Sequence, residues 1–221
     1  MIKEIIEELK RHTPFTAFGA LTGILIMVLI SWKGLIPQFS LIASDIFYVL
    51  HPTHVVLSAL VTTALYRKYR NANLFMAILI GYTGSIGIAT LSDSIFPFMG
   101  ETLLDLPNRG IHIGFIEEWW IVNPAALLGI MIGYFKQSTR VSHYGHVMIS
   151  TWASTFHVIM ALGETVSWIQ ISLIFLFLFL AVWIPCCMSD IVYPLIFARG
   201  QKESSSKDSG GDIASANRHS Y

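Results

Sequence analysis

HPTHVVLSALVTT, residues 51–63, decides how this chain is read, because HYGHVMISTWAST at residues 143–155 repeats it. The two stretches align without a gap at an offset of 92 residues. His51 matches His143, His54 matches His146, Val55 matches Val147, Ser58 matches Ser150 and Thr63 matches Thr155. A second shared block follows each copy: SDSIFP at 92–97 and SDIVYP at 189–194, both Ser-Asp-x-x-aromatic-Pro. A third precedes them, with Pro14, Gly19 and Gly23 spaced as are Pro124, Gly129 and Gly133. Three blocks in the same order read as an internal duplication.

Composition places the duplicated unit in a bilayer. Hydrophobic residues make up 54% of the chain and charged residues 13%, where a soluble domain carries about 25% charged residues. Apolar runs recur at 15–32, 49–66, 74–91, 119–135, 147–162 and 168–184. A crossing takes about 20 mostly apolar residues, so several of these runs must borrow polar flanks. The expected fold is an all-α polytopic membrane protein with six transmembrane helices.

Lys and Arg placement orients it. With the N-terminus in the cytoplasm, twelve basic residues fall on the inner side, and only Lys33 and Arg109 fall on the outer side. Both termini are therefore expected in the cytoplasm. Because each half then has three crossings, the second half enters the membrane upside down. The six helices become two inverted-topology three-helix repeats, an arrangement that secondary transporters use, with substrate near the repeat interface. The expected segments are an amphipathic cytoplasmic stretch (1–12), a first repeat (13–98), an outer loop partly associated with the membrane (99–118), a second repeat (119–198) and a disordered cytoplasmic tail rich in Ser, Gly and Lys (199–221). No cleavable leader is expected, since the first apolar run has no small-x-small cleavage site. The formal net charge is zero, which gives no reason to expect nucleic acid as a partner. The expected partners are lipid and a cation, and oligomerisation is left open.

The candidate site follows from the cost of ionisable groups in lipid, which makes each of them a functional candidate. On the fifth helix His143, His146, Ser150, Ser154, His157 and Glu164 fall within an arc of roughly 80°, running about 31 Å along the axis. His51, His54, Ser58 and Thr62 repeat the stripe on the second helix. Two imidazoles at i and i+3 with a carboxylate from a neighbouring helix suit a divalent transition metal such as Zn, Fe, Mn, Co or Ni. One such set is His51, His54 and Asp93, expected near the outer face; its inverted partner is His143, His146 and Asp190 near the inner face. Ser92 and Ser189 precede the two aspartates. The same residues suit a proton relay, because imidazole titrates near neutral pH. Cys186 and Cys187 have no counterparts in the first half; they are either soft ligands to the inner set or small packing residues. Ser and Thr in membrane helices ordinarily serve packing between neighbours.

Prolines at 97, 185 and 194 are expected to kink or break their helices and expose carbonyls beside the Ser-Asp pairs. Glu101, Asp105, Glu117 and Glu118 read as outer-side acids that draw cations or are simply solvated. His112 lies outside both repeated motifs.

The first functional reading is a transporter or channel for a cation, foremost a divalent transition metal, with proton coupling open. The second is an intramembrane metal-dependent enzyme acting on a lipid-soluble substrate. The third is a b-type haem electron carrier with His54 and His157 as an axial pair.

Overall fold

The computed structural model describes residues 2–69, 73–136, 140–188, 192–193 and 196–197; for 2–5, 8, 69, 140–143 and 187 it describes the backbone alone. Among the described residues the α-helices are, in order, α1 (Ile2–Trp32), α2 (Ile36–Tyr69), α3 (Leu74–Thr90), α4 (Phe96–Leu103), α5 (Gly114–Glu117), α6 (Trp119–Phe135), α7 (Arg140–Ala161) and α8 (Trp168–Cys187). A π-helical turn, Leu91–Ile95, joins α3 to α4 without a break. No strand occurs among the described residues.

Four stretches are long and apolar enough to cross a membrane: Leu9–Trp32, Ile36–Lys68, Leu74–Leu103 and Trp168–Cys186. The polarity of the bundle points the same way. Leu21, Leu25, Leu41, Phe75, Leu127, Phe135, Trp168 and Ile169 are exposed, while His12, His51, His54, Asp93, Glu101, His146 and His157 are buried. That inversion of the soluble pattern is what an α-helical membrane protein requires, because lipid solvates the apolar exterior and cannot solvate charge.

Several helices run past their apolar stretches, and for two of them this positions the site. The second starts at Ile36 rather than near residue 49, because α1 is closed by a tight reversal. Gly34 takes φ 64°, which glycine adopts without steric cost. The Gly34 amide donates to the Ser31 carbonyl at 3.0 Å and the Leu35 amide to the Ile30 carbonyl at 2.8 Å, a Schellman closure. Pro37 then falls in the first turn of α2, where a missing N–H costs nothing. The third run does not stop at its polar Ser-Asp pair; it continues through the π turn to Leu103. Pro97 sits at the start of α4, so it does not break the helix.

α2 and α7 occupy the centre and pack on each other. α3 and α6 lie against α2, α1 and α8 lie against α7, and α1 packs on α8 as α3 packs on α6. Glycines set the close approaches. A Cβ on Gly19 or Gly23 of α1 would come within 2.9 Å of the Thr151 side chain or 3.0 Å of that of Thr155. A Cβ on Gly129 or Gly133 of α6 would come within 2.8 Å of Ala59 Cβ or 3.0 Å of Leu60 Cα. Ala59 aligns with Thr151 in the duplicated block, so the two contacts use equivalent positions.

The connection after α4 folds back on the bundle. Leu106 is buried against Met27, Ile30, Leu162, Ile174 and Leu178. The Asn108 side-chain amide donates to the Leu162 carbonyl at 2.9 Å.

The glycine contacts can be tested by overpacking. A leucine at Gly129 meets the α2 backbone at Val56 and is expected to cost about 1–3 kcal/mol or more. Gly87 faces open space, so Gly87→Ala leaves stability unchanged. Thermal unfolding in detergent, read by loss of the monodisperse peak, checks both; an equal midpoint for Gly129→Leu contradicts the packing.

Candidate functional site

The site is built where the π turn meets α2 and α7. Pro97 has no N–H, and its ring crowds the carbonyl four residues back, that of Asp93. The wider π turn accommodates this. The Phe96 amide donates to the Leu91 carbonyl, which releases the Ser92 carbonyl, and the Ser154 hydroxyl of α7 donates to it at 2.9 Å. The extra residue also turns three consecutive side chains, Ser92, Asp93 and Ser94, into the interior. A regular α-helix would spread them over about 200°.

Asp93 is the hub. Its Oδ2 accepts from Nδ1 of His51 at 2.9 Å and from Nδ1 of His54 at 2.7 Å. Its Oδ1 accepts from the Ser92 hydroxyl at 2.7 Å and from the Ser150 hydroxyl at 2.7 Å. An ionised carboxylate has about four lone-pair sites, and all four are used. Because such a carboxylate only accepts, the network places a proton on both Nδ1 atoms and leaves each Nε2 facing away. The i, i+3 spacing on α2 is what brings both imidazoles to one oxygen.

His51 is fifteen residues into α2, about 22 Å along its axis. The set expected near the outer face therefore lies near the middle of the helix, because α2 begins thirteen residues before the apolar run that was taken to define it. On the side of the hub toward the C-terminal end of α8, Cys186 Sγ lies 4.0 Å from His54 Nε2 and 3.8 Å from the Ser150 hydroxyl. The His146 ring stacks on that of His54, centroids 5.8 Å apart at 10°, and the His12 ring meets His146 at 5.9 Å. His146 thus joins the first set. Its expected companions lie largely outside the described residues: Ser189 and Asp190 wholly, His143 and Cys187 beyond their backbone.

A second couple lies on the far side of Phe47, toward the connection after α4. Nδ1 of His157 is 2.7 Å from Oε1 of Glu101, and both side chains are buried. Glu101, read from sequence as a solvated or cation-attracting acid, is thus an interior partner. The His112 ring meets His157 at 5.3 Å. Phe47 lies between the two clusters, stacked on His51 at 5.3 Å and edge-on to His157 at 5.4 Å. Glu164 does not continue the stripe, since α7 ends at Ala161 and Glu164 is exposed. Ser58 and Thr62 are buried. His54 and His157 are not paired; Asp93 holds one and Glu101 the other.

Sequence reasoning missed His12, Phe47 and Glu101, and set His112 aside. None belongs to the duplicated blocks, and a lone His at a helix start or a Glu after an apolar run carries no periodic signal.

At the rim formed by α5, Glu117 accepts from the Tyr48 hydroxyl and, at 3.2 Å, from the Ile113 amide. Burial pushes its carboxyl up, but the Tyr48 and Ile113 hydrogen bonds and neighbouring His112 outweigh this and hold it below the usual carboxylate range.

Among the described residues no group of three or more His, Cys, Asp or Glu side chains is arranged to hold a metal ion. Asp93 explains part of this, because each of its lone pairs already has a donor. Comparison with family models, curated proteins and solved structures finds no match to this chain.

Two outcomes follow from these geometries. Asp93→Asn loses acceptor capacity for buried donors and is expected to destabilise the fold by about 1–3 kcal/mol per stranded group. A detergent unfolding midpoint equal to that of the parent contradicts the hub. At the rim, a depressed carboxyl contributes stability above its unfolded pKa and loses it as pH falls through the folded value. Protection of the Ile113 amide against hydrogen exchange should persist through the ordinary glutamate range near pH 4.5 and fall only below it.

Proposed function

We propose that this chain is a proton-coupled cation transporter, with His51, Asp93 and His54 as its coupling site. The observation that carries the reading is a single carboxylate, wholly buried, shared by two imidazoles deep inside an apolar-surfaced bundle. Asp93 ionised with both imidazoles neutral leaves one net negative charge. In a low-dielectric interior that charge needs one positive counter-charge. A proton on either imidazole supplies it; an incoming divalent cation supplies it with one charge in excess, so its entry releases two protons, one from the imidazole and one from the Cys186 thiol, which becomes a thiolate beside His54. Whichever binds displaces the other, which is the elementary step of exchange.

The proposed transported cation is a divalent transition metal. In support, each Nδ1 is held by a carboxylate, the arrangement that orients Nε2 as a metal ligand. Cys186 Sγ, a soft donor, lies 4.0 Å from Nε2 of His54.

The proposed architecture has six crossings, α1, α2, α3 with α4, α6, α7 and α8, with both termini cytoplasmic and the halves related by an axis in the membrane plane. Reciprocal packing supports it: α1 approaches α7 through Gly19 and Thr151, and α6 approaches α2 through Gly129 and Ala59. Met188 and Val192 are π-helical at the positions that match Leu91 and Ile95. Such inverted halves can exchange conformations and so alternate the open side.

The test is flux in proteoliposomes with an internal pH indicator, across Zn, Fe, Mn, Co and Ni. Cation uptake should move the indicator, and Asp93→Asn should lower both signals by at least about tenfold, or about 1.4 kcal/mol, on matched amounts of folded protein. Parental flux of every cation and of protons in Asp93→Asn defeats the reading.

A further inference from the structure

We propose that His157 and Glu101 form a second, outer proton-binding site, and that the Phe47 ring is the barrier between it and the Asp93 cluster. The proposal rests on the proton-coupled reading above and extends it to how protons arrive.

The rings follow one another through the bundle. From the inner side, His12 meets His146, which stacks on His54; His54 and His51 share Asp93. On the outer side His112, partly exposed, meets His157, which Glu101 holds. The one break in this series of titratable groups is Phe47, which touches His51 with one face and His157 with another part of the ring. A phenyl ring carries no proton and excludes water, so it separates the two halves as a hydrophobic constriction separates the sides of a channel.

His157 is suited to receive a proton. Its Nδ1 is engaged by Glu101, while Nε2 is buried with no hydrogen-bond partner. A buried polar atom left without a partner is costly, and a proton passing from His112 gives this edge its use. The groups facing His157 are few. α2 presents Phe47 with His51 behind it, α4 presents Glu101, and the outer connection presents His112, itself 3.4 Å from Glu117. Neighbours from α1 and α8 in this region, Met27, Ile30, Ile174 and Leu178, are apolar. Glu101 and His157 therefore set one another's charge: a protonated His157 beside Glu101 is a neutral pair, the form a membrane interior tolerates. Glu101 also accepts from the Gly110 amide at 3.4 Å, which ties it to the same outer connection.

The experiment measures proton leak in proteoliposomes under a valinomycin-imposed potential, with no transported cation present. Phe47→Ala should raise the leak at least about tenfold by opening a wet path. Adding Glu101→Gln to that variant should return the leak to the parental level. Leu41→Ala, on the same helix but facing outward, is the control for general loosening. A parental leak in Phe47→Ala, or a leak that survives Glu101→Gln, overturns the proposal. If Asp93→Asn still abolishes coupled uptake in that case, the coupling reading stands and only the outer site falls. Should Phe47→Ala not fold, histidine 15N spectra of the parental chain in liposomes decide instead. The His157 signal should respond when the pH outside the liposomes alone is changed. A His157 signal indifferent to external pH overturns the proposal equally.

Discussion

A carboxylate inside a membrane bundle must be surrounded by donors, and the neighbourhood of Asp93 is organised by that constraint. The cost of an unsolvated carboxylate is far larger than any single packing gain. Four side chains from three elements meet it: His51 and His54 from α2, Ser92 from its own turn and Ser150 from α7. These bonds tie together the two central helices and the π turn. Their geometry also saturates Asp93, so a further proton or a metal ion can reach the carboxylate itself only by displacing one of these donors.

The π turn is the local device that makes this possible. Proline at 97 denies a regular helix its next hydrogen bond, and the resulting extra residue turns Asp93 and both flanking serines inward. The carbonyl released at Ser92 is then taken by Ser154, while the Ser94 hydroxyl of the same turn is buried without a hydrogen-bond partner. The local change in backbone hydrogen bonding, side-chain direction and inter-helix hydrogen bonding are one feature seen at three scales.

Close approach of helices is the second requirement. Hydrogen bonds of 2.7 Å between side chains as short as serine and aspartate need α7 and the π turn to lie near each other, and glycines let the surrounding helices close around them. Gly19 and Gly23 seat α1 on the threonine ridge of α7, and Gly129 and Gly133 seat α6 on α2. The outward faces carry leucine, phenylalanine and tryptophan because only lipid meets them.

The sequence by itself determined the membrane class, the duplication, and which polar side chains share a face of one helix. Those properties depend on composition and on the 3.6-residue period, both of which are local. His51 with His54 and the inward line through His146, Ser150, Ser154 and His157 were legible for that reason. Tertiary structure alone decided which faces meet and at what depth. The stacking of His146 on His54, the pairing of Glu101 with His157 and the contact of Phe47 with His157 join residues 56 to 110 positions apart. Their meeting depends on crossing geometry, on the extra turn at Asp93 and on where α2 begins, none of which leaves a periodic trace in the chain.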